Sequence, residues 1–244
     1  MPTVLVTGAN RGLGLEFARQ YAADGWTVHA CVRAPQQADA LQALKRDAEQ
    51  AGQGRIEIHA LDVRDHAAID QLAATLDGVA IDVLINCAGT MGKGSFAEQG
   101  IAFGKLGRSD FADWENTFRV NVIGPMKMAE AFVPHVALSE QKKIVSLTSE
   151  LGSIGGNKIG SLYAYRATKA GLNAIMKSMA IDLGRQYRII AIPLHPGWVR
   201  TDMGGPRAPL DAATSVRGMR KVIAELDAGK SGRFWAYDGS ELPW

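Results

Sequence analysis

A single α/β domain built on a Rossmann-type, doubly wound parallel sheet is the fold class this sequence predicts, and three observations carry the prediction. Short apolar runs alternate with longer helical patterns along the whole chain, as repeated β-α units with right-handed crossovers require. Several runs are almost continuously apolar, as in Val83-Leu84-Ile85 and Ile189-Ile190-Ala191-Ile192, which is how a strand reads when helices cover both its faces. The 244 residues suffice for one large core, and no repeat, low-complexity tract or linker divides them.

In chain order the candidate strands are Thr3–Thr7, Thr27–Val32, Arg55–Leu61, Ile81–Asn86, Lys143–Ser149, Arg188–Pro193 and Arg233–Ala236, about seven in all. The candidate helices are Gly12–Asp24, Gln36–Ala51, Asp65–Leu76, Phe111–Leu138, Tyr163–Gln186 and Asp211–Ala228. Leu13, Phe17 and Tyr21 fall one turn apart on a single stripe of the first, and Asp65 and Asp211 stand where N-caps belong. Two stretches break the rhythm, Gly89–Ser109 after the fourth strand and Gly197–Pro209 after the sixth. Both are expected beyond the carboxyl ends of strands, where open α/β sheets bind ligands.

Composition excludes several classes. Hydrophobic residues are 47% and charged residues 21% of the chain, ordinary for a soluble globular protein. The net charge is +2 with Lys and Arg scattered, so there is no footprint for nucleic acid. Structure starts at Val4-Leu5-Val6, which leaves no room for a signal peptide, and no apolar run reaches membrane-spanning length. A cytoplasmic protein without a membrane partner is the expectation. There Cys31 and Cys87 are expected as reduced thiols, with one disulfide as the alternative. His29, His59, His66, His135 and His195 show no metal-ligand spacing, so no metal is expected. Ser149 lacks the Gly-x-Ser-x-Gly elbow of a hydrolase. Met126, Met128, Met176 and Met179 read as packing.

The candidate cofactor end is the turn Thr7-Gly8-Ala9-Asn10-Arg11-Gly12-Leu13-Gly14. Its glycines permit a tight turn and close approach to a pyrophosphate, and the first N–H groups of the following helix point at phosphate oxygens. The spacing is Gly-x-x-x-Gly-x-Gly rather than the familiar Gly-x-Gly-x-x-Gly. The second strand ends in Cys31-Val32-Arg33 with no acid nearby. An acid there holds the ribose 2′-OH of NAD, whereas Arg accommodates a 2′-phosphate. Arg33 and Arg11 therefore favour NADP(H) over NAD(H), against the plainer reading of two solvated surface residues. Asp62-Val63 closes the third strand, and Asp62 fits either adenine recognition or an N-cap. Asn86-Cys87-Ala88-Gly89 ends the fourth strand in small residues that let backbone run beside a ribose, or simply turn the chain.

Tyr165 and Lys169 are four apart on one helix and so share a face. Most such pairs are surface neighbours, but this one sits among Ala164, Ala167, Ala170, Gly171 and Ala174, downstream of Ser146-Leu147-Thr148-Ser149 at a strand end. A phenol near pKa 10 is too weak an acid at neutral pH. A close ammonium or an oxidised nicotinamide lowers that pKa, after which the hydroxyl passes a proton to or from a substrate oxygen.

Thr7–Gly14, Asn86-Cys87-Ala88-Gly89, Asn121, Ser149, Tyr165-x-x-x-Lys169 and Pro196-Gly197 together resemble the short-chain dehydrogenase/reductase superfamily over practically the whole chain. Tyr165-Arg166-Ala167-Thr168-Lys169, the run His195–Met203 and the ending Asp238–Trp244 resemble its branch of C-factor-like proteins and sniffer-type carbonyl reductases. The resemblance implies Tyr165 as general acid or base, Lys169 as the residue that lowers its pKa and holds the nicotinamide ribose, and Ser149 as the hydrogen-bond partner of the substrate oxygen. Asn121 would hold a water that relays protons to Lys169, its plainer readings being a helix kink or a surface position. Pro196, Gly197, Val199 and Thr201 would dock the nicotinamide amide. The Gly152–Gly160 segment lengthens the Ser-to-Tyr spacing and makes Ser153 a runner-up to Ser149; Cys87 replaces a frequent Asn.

The short 201–210 loop argues for an open pocket without a helical lid. Phe96, Leu151, Ile154, Leu162, Trp198 and Met203 are candidate apolar lining for a small carbonyl or alcohol substrate, unless they are ordinary packing. Family members commonly pair through the two long helices, which implies a homodimer or homotetramer. A complete Asn121, Ser149, Tyr165 and Lys169 set points to a carbonyl reductase. The alternatives are an NADP(H)-binding signalling protein of C-factor type and an NAD-linked alcohol dehydrogenase.

Overall fold

The computed structural model describes residues 1–93 and 104–244. Seven strands form one sheet: β1 (Thr3–Thr7), β2 (Thr27–Val32), β3 (Ile56–Ala60), β4 (Val83–Asn86), β5 (Lys143–Leu147), β6 (Ile190–His195) and β7 (Trp235–Ala236). Their order is β3-β2-β1-β4-β5-β6-β7, and every neighbouring pair is parallel. All five residues of β1, all four of β4 and all five of β5 are buried, so the continuously apolar runs are the strands with a layer on each face.

The helices are α1 (Gly12–Ala23), α2 (Asp39–Gln50), α3 (His66–Thr75), α4 (Phe111–Phe118), α5 (Gly124–Leu138), α6 (Tyr163–Tyr187) and α7 (Ala212–Ala224). Strand alternation sorts the core into two layers. Val4, Val6, Val28, Ile85 and Val145 meet Phe17 of α1, Leu41 of α2 and Met219 of α7. Leu5, Cys31, Leu84 and Ile144 meet Ile69 of α3, Phe132 and Met128 of α5, and Met176 of α6. The two caps form as expected: Asp65 accepts from the Ala68 N–H at 3.0 Å and Asp211 from that of Thr214 at 2.7 Å. Asp65 is thus the cap of α3, which removes the N-cap reading of Asp62. Both cysteines are free, and burial pushes each thiol up to about 12.

Three expectations change. The candidate helix 36–51 is a short 3-10 turn at Pro35–Gln37 followed by α2. The long helix 111–138 carries a π-helical turn, Arg119–Ile123, between α4 and α5. The strand expected to run to Ser149 stops at Leu147, because the Ser149 hydroxyl turns back to accept from the Leu151 N–H at 3.1 Å and starts a 3-10 turn, Glu150–Gly152. Among the described residues no helix is long and apolar enough to cross a membrane. Phe132 is fully buried in the second layer. Phe132→Ala should therefore cost about 3–5 kcal/mol, through lost transfer energy and a cavity, read as a lower urea midpoint at unchanged slope.

Candidate functional site

The carboxyl edge of the sheet opens into a cleft of about 570 Å³, within the size range of cofactor and ligand sites. One end is built by the turn from β1 to α1. Gly8 and Ala9 both donate to the Cys31 carbonyl at the end of β2, at 2.9 and 3.1 Å. Thr7 Oγ1 accepts from the Cys87 and Ala88 N–H groups beyond β4, at 3.0 and 3.1 Å. Gly8 has φ +72°, and a Cβ on it would stand 2.9 Å from Ala88 Cα; glycine is needed both for the conformation and for the approach. Arg11, the N-cap of α1, supplies no side-chain cap, and the first turn of α1 holds no acid. The first N–H groups of α1 are thus left for an anion at the positive end of the helix.

The other side of this end is basic. Arg11, Arg33 and Arg64 all line the cleft, and no acid ends β2. Arg33 is exposed and takes part in no ion pair among the described residues. Arg11 is committed differently from the expectation: its guanidinium pairs with Asp202, from the loop after β6, and so bridges two walls of the cleft. Arg64 grips Asp62 through Nε at 3.0 Å and Nη2 at 2.6 Å, and donates to Asn116 Oδ1 at 3.0 Å. That contact, with a backbone bond from the same residue, holds the Asp62 carboxyl below its usual range. Asp62 therefore meets a ligand as an anion already bound to a guanidinium.

At the opposite end, α6 brings Tyr165 and Lys169 to the cleft, both nearly fully buried. Lys169 Nζ donates to the Leu147 carbonyl at 2.9 Å and lies 5.7 Å from the Tyr165 ring centre. Ser149 hydrogen-bonds Tyr165. The 3-10 turn that carries Ser149 sits hard on α6, since a Cβ on Gly152 would stand 2.8 Å from the Lys169 backbone carbon. Ser153, the runner-up, is used elsewhere: its hydroxyl accepts from the Gly156 N–H at 2.8 Å and donates to the Trp244 carbonyl at 3.2 Å. The extra residues of the Ser-to-Tyr segment thus bulge outward beyond Ser149.

Burial sets the electrostatics of the pair. Burial pushes the Tyr165 phenol up to about 12, and the Ser149 hydrogen bond only partly opposes it. The same burial brings the Lys169 ammonium down to about 8. The ammonium does not by itself make Tyr165 a stronger acid, because desolvation disfavours both charged forms.

Asn121 lies in the π-helical turn and is fully buried. Its Oδ1 accepts from the Thr90 N–H at 2.9 Å, while Nδ2 donates to the Thr90 carbonyl at 2.8 Å and to Thr168 Oγ1 at 3.0 Å. It is neither a kink alone nor a surface residue. Asn121 Oδ1 and Lys169 Nζ converge on Gly89, 3.5 and 3.7 Å from where its Cβ would stand.

Gly8, Asn10, Gly12, Leu13, Gly14, Val63, Ala88, Gly89, Pro196 and Thr201 line the cleft with Arg11, Arg33, Asp62, Tyr165 and Lys169, while Ser149 and Asn121 stand behind its lining. Asn86 does not: it is buried and donates to Ser146 Oγ at 3.1 Å, inside the sheet. Nor do Gly197 and Val199, which pack under the cleft wall; Val199 is buried and bridges to Leu210. Of the candidate apolar lining, Met203 lines the cleft, Ile154 is 80% exposed and Leu162 is packed inside; Phe96 lies outside the described residues. Arg64 and Asn116 line the cleft without a motif to mark them, and Thr148, Arg200 and Asp202 do so from motifs that assign them no role. Arg64 has one signal, its place two residues after Asp62; Asn116 lies on α4, and the other three follow β5 and β6, where the loop path decides which side chains face the cleft.

A glycine-rich turn, an uncapped helix start and a buried Tyr–Lys pair across one sheet edge define a dinucleotide-type oxidoreductase scaffold. Residues 2–210 match the family model of short chain dehydrogenases, and the chain belongs to that family. It is 43% identical over 164 residues to the C-signal of Myxococcus xanthus, an alignment that takes in 67% of this chain and 93% of the relative. Among solved structures it is similar to the carbonyl reductase Sniffer of D. melanogaster, at 32% identity and a TM-score of 0.89 over all of both chains. It is likewise similar to an NADPH-bound carbonyl reductase from chicken fatty liver, at 31% identity and a TM-score of 0.87 over 100% of this chain and 99% of that one.

Proposed function

We propose that this protein is an NADP(H)-dependent carbonyl reductase that acts on a small, partly apolar aldehyde or ketone, or on the matching alcohol in reverse. The observation that carries the reading is the joint placement of Lys169 and of Tyr165, hydrogen-bonded by Ser149, at one end of a cleft whose other end holds an anion-ready helix start and Arg33. Gly8 supports it further, since no side chain fits where the turn approaches Ala88. The first N–H groups of α1 would hold the pyrophosphate, Arg33 the 2′-phosphate, Asp62 and Val63 the adenine, and Lys169 the nicotinamide ribose. The bound dinucleotide supplies the hydride and, when oxidised, a positive charge.

Ser149 and Tyr165 then grip the substrate oxygen together, which fixes the carbonyl carbon for hydride transfer. In reduction Tyr165 gives its hydroxyl proton to that oxygen as negative charge develops there. A phenol held up to about 12 by burial stays protonated until that moment. Lys169 keeps a positive charge beside the resulting phenolate, and a water between Asn121 and Lys169 returns the proton. Apolar atoms of Val120, Leu147 and Met203 in the cleft wall favour an uncharged substrate. Exposed Phe111, Ile123, Tyr163 and Ile181 on α4 to α6 favour pairing of copies through these helices.

The identity with the C-signal protein favours a second reading, an NADP(H)-binding signalling protein with little turnover. A screen of NADPH oxidation across small aldehydes and ketones separates the two. Turnover is expected, and Tyr165→Phe should lower it by about 10²–10⁴-fold; no turnover on any carbonyl, or a fully active Phe variant, removes the enzyme reading. Arg33→Ala should raise the Kd for NADPH at least about tenfold, a cost of about 1.4 kcal/mol, and leave that for NADH unchanged. Tighter binding of NADH than NADPH to the unaltered protein would favour the NAD-linked alternative.

The pH dependence has a defined sign. Lys169 is lowered from 10.5 to about 8, so its cation is complete below about pH 8 and is lost above it. The kcat/KM for reduction should be level at neutral pH and fall as pH rises through about 8. A profile flat to pH 10 would detach the rate from the Lys169 charge.

A further inference from the structure

We propose that strands β2 and β3 carry a divalent transition-metal site, formed by His29, Glu57 and His59, that takes Zn²⁺. The parallel register sets Glu57 opposite His29 and His59 opposite Cys31. With a period of two along each strand, the three side chains emerge on one face. His29 Nδ1 stands 3.0 Å from His59 Nε2 and 3.6 Å from Glu57 Oε2, and the three donor atoms all lie within 4.8 Å of one another. Ligands held at about 2.0–2.2 Å by a tetrahedral Zn²⁺ stand roughly 3.3–3.6 Å apart, so small side-chain shifts close the set around one ion.

The chemistry of the donors matches. Two imidazoles and one carboxylate form a Zn²⁺ set that leaves a fourth position for water. Arg55 Nε binds the other carboxylate oxygen, Glu57 Oε1, at 3.0 Å. It orients Glu57 with Oε2 toward the histidines, the kind of outer contact that positions metal ligands, at the cost of a nearby positive charge. His29 is buried and fixed by packing, while Glu57 and His59 are half-buried on the edge strand, which gives an ion a way in from solvent. The close contact of the two rings is an N–H···N hydrogen bond when no ion is bound. On binding, the shared proton moves to the other nitrogen of its ring, and both lone pairs face the metal. None of the three residues lines the cleft. The consequence is a clamp between β2 and β3 at mid-strand, behind the cofactor end.

The test uses the full chain, stripped with a chelator and dialysed against Zn²⁺, with metal content, thermal midpoint and the visible spectrum of a Co²⁺-loaded sample as readouts. One ion per chain, a raised midpoint and the intense bands of four- or five-coordinate Co²⁺ are expected. His59→Ala and Glu57→Gln, both at half-exposed positions, should each weaken Zn²⁺ by about 10–100-fold or more while keeping the metal-free midpoint. Three results would overturn the site: no binding at roughly 100 µM Zn²⁺, an affinity in both variants unchanged from that of the unaltered protein, or loss of binding in Cys87→Ser instead.

Discussion

The contact on which the rest of this structure depends is the meeting of β1 and β4 at their carboxyl ends. Thr7 Oγ1 receives two backbone N–H groups from the start of the segment after β4, and Gly8 lies flat against Ala88. The sheet order turns here, with β2 and β3 on one side and β5 to β7 on the other. Chain segments leaving β1 and β4 must therefore diverge, and a crevice opens between them. Gly8, Gly12, Arg33, Asp62, Tyr165 and Lys169 all border that crevice. A side chain at Gly8 would force the two strand ends apart and change the crevice itself, beyond any local strain.

Burial then decides how the site behaves. Tyr165 and Lys169 are desolvated by the packing that positions them, and the shifts oppose charge on both: the phenol rises to about 12 and the ammonium falls to about 8. An acid that keeps its proton and a base near its midpoint suit a site where charge appears only when a ligand brings it. Ser149 and the Leu147 carbonyl give each group one fixed hydrogen bond, so orientation is set before any ligand arrives.

What was legible in the sequence is what is local in it. The turn 7–14, the Tyr165–Lys169 spacing, the two Asp caps and the strand runs depend on residues within a few positions, and the structure keeps them. Side-chain direction at a strand end is less visible: Asn86 was placed at the cofactor, yet the alternation at the end of β4 turns it onto Ser146. Contacts between distant loops were not visible at all. Nothing in the sequence foretells that Arg11 pairs with Asp202 or that Arg64 reaches Asn116. The five histidines looked unrelated by spacing along the chain, but His29 and His59 become neighbours through strand register. The effect of burial on Tyr165 is hidden for the same reason, since desolvation depends on how many layers close over a side chain.

One small feature carries further than its size. Leu162, just before α6, is held in the left-handed region at φ 55° and ψ 36°. Its N–H donates to the Gly104 carbonyl at 3.1 Å, and a Cβ on Gly104 would stand 2.9 Å from Leu162 Cα. The end of the long connection after β4 is therefore keyed to the first turn of the helix that bears Tyr165. A change at Gly104 that breaks this fit would also disturb the first turn of α6, and with it Tyr165. Under the proposed function, substrate range and proton delivery would be inherited together, since both would depend on the grip of this connection on Leu162.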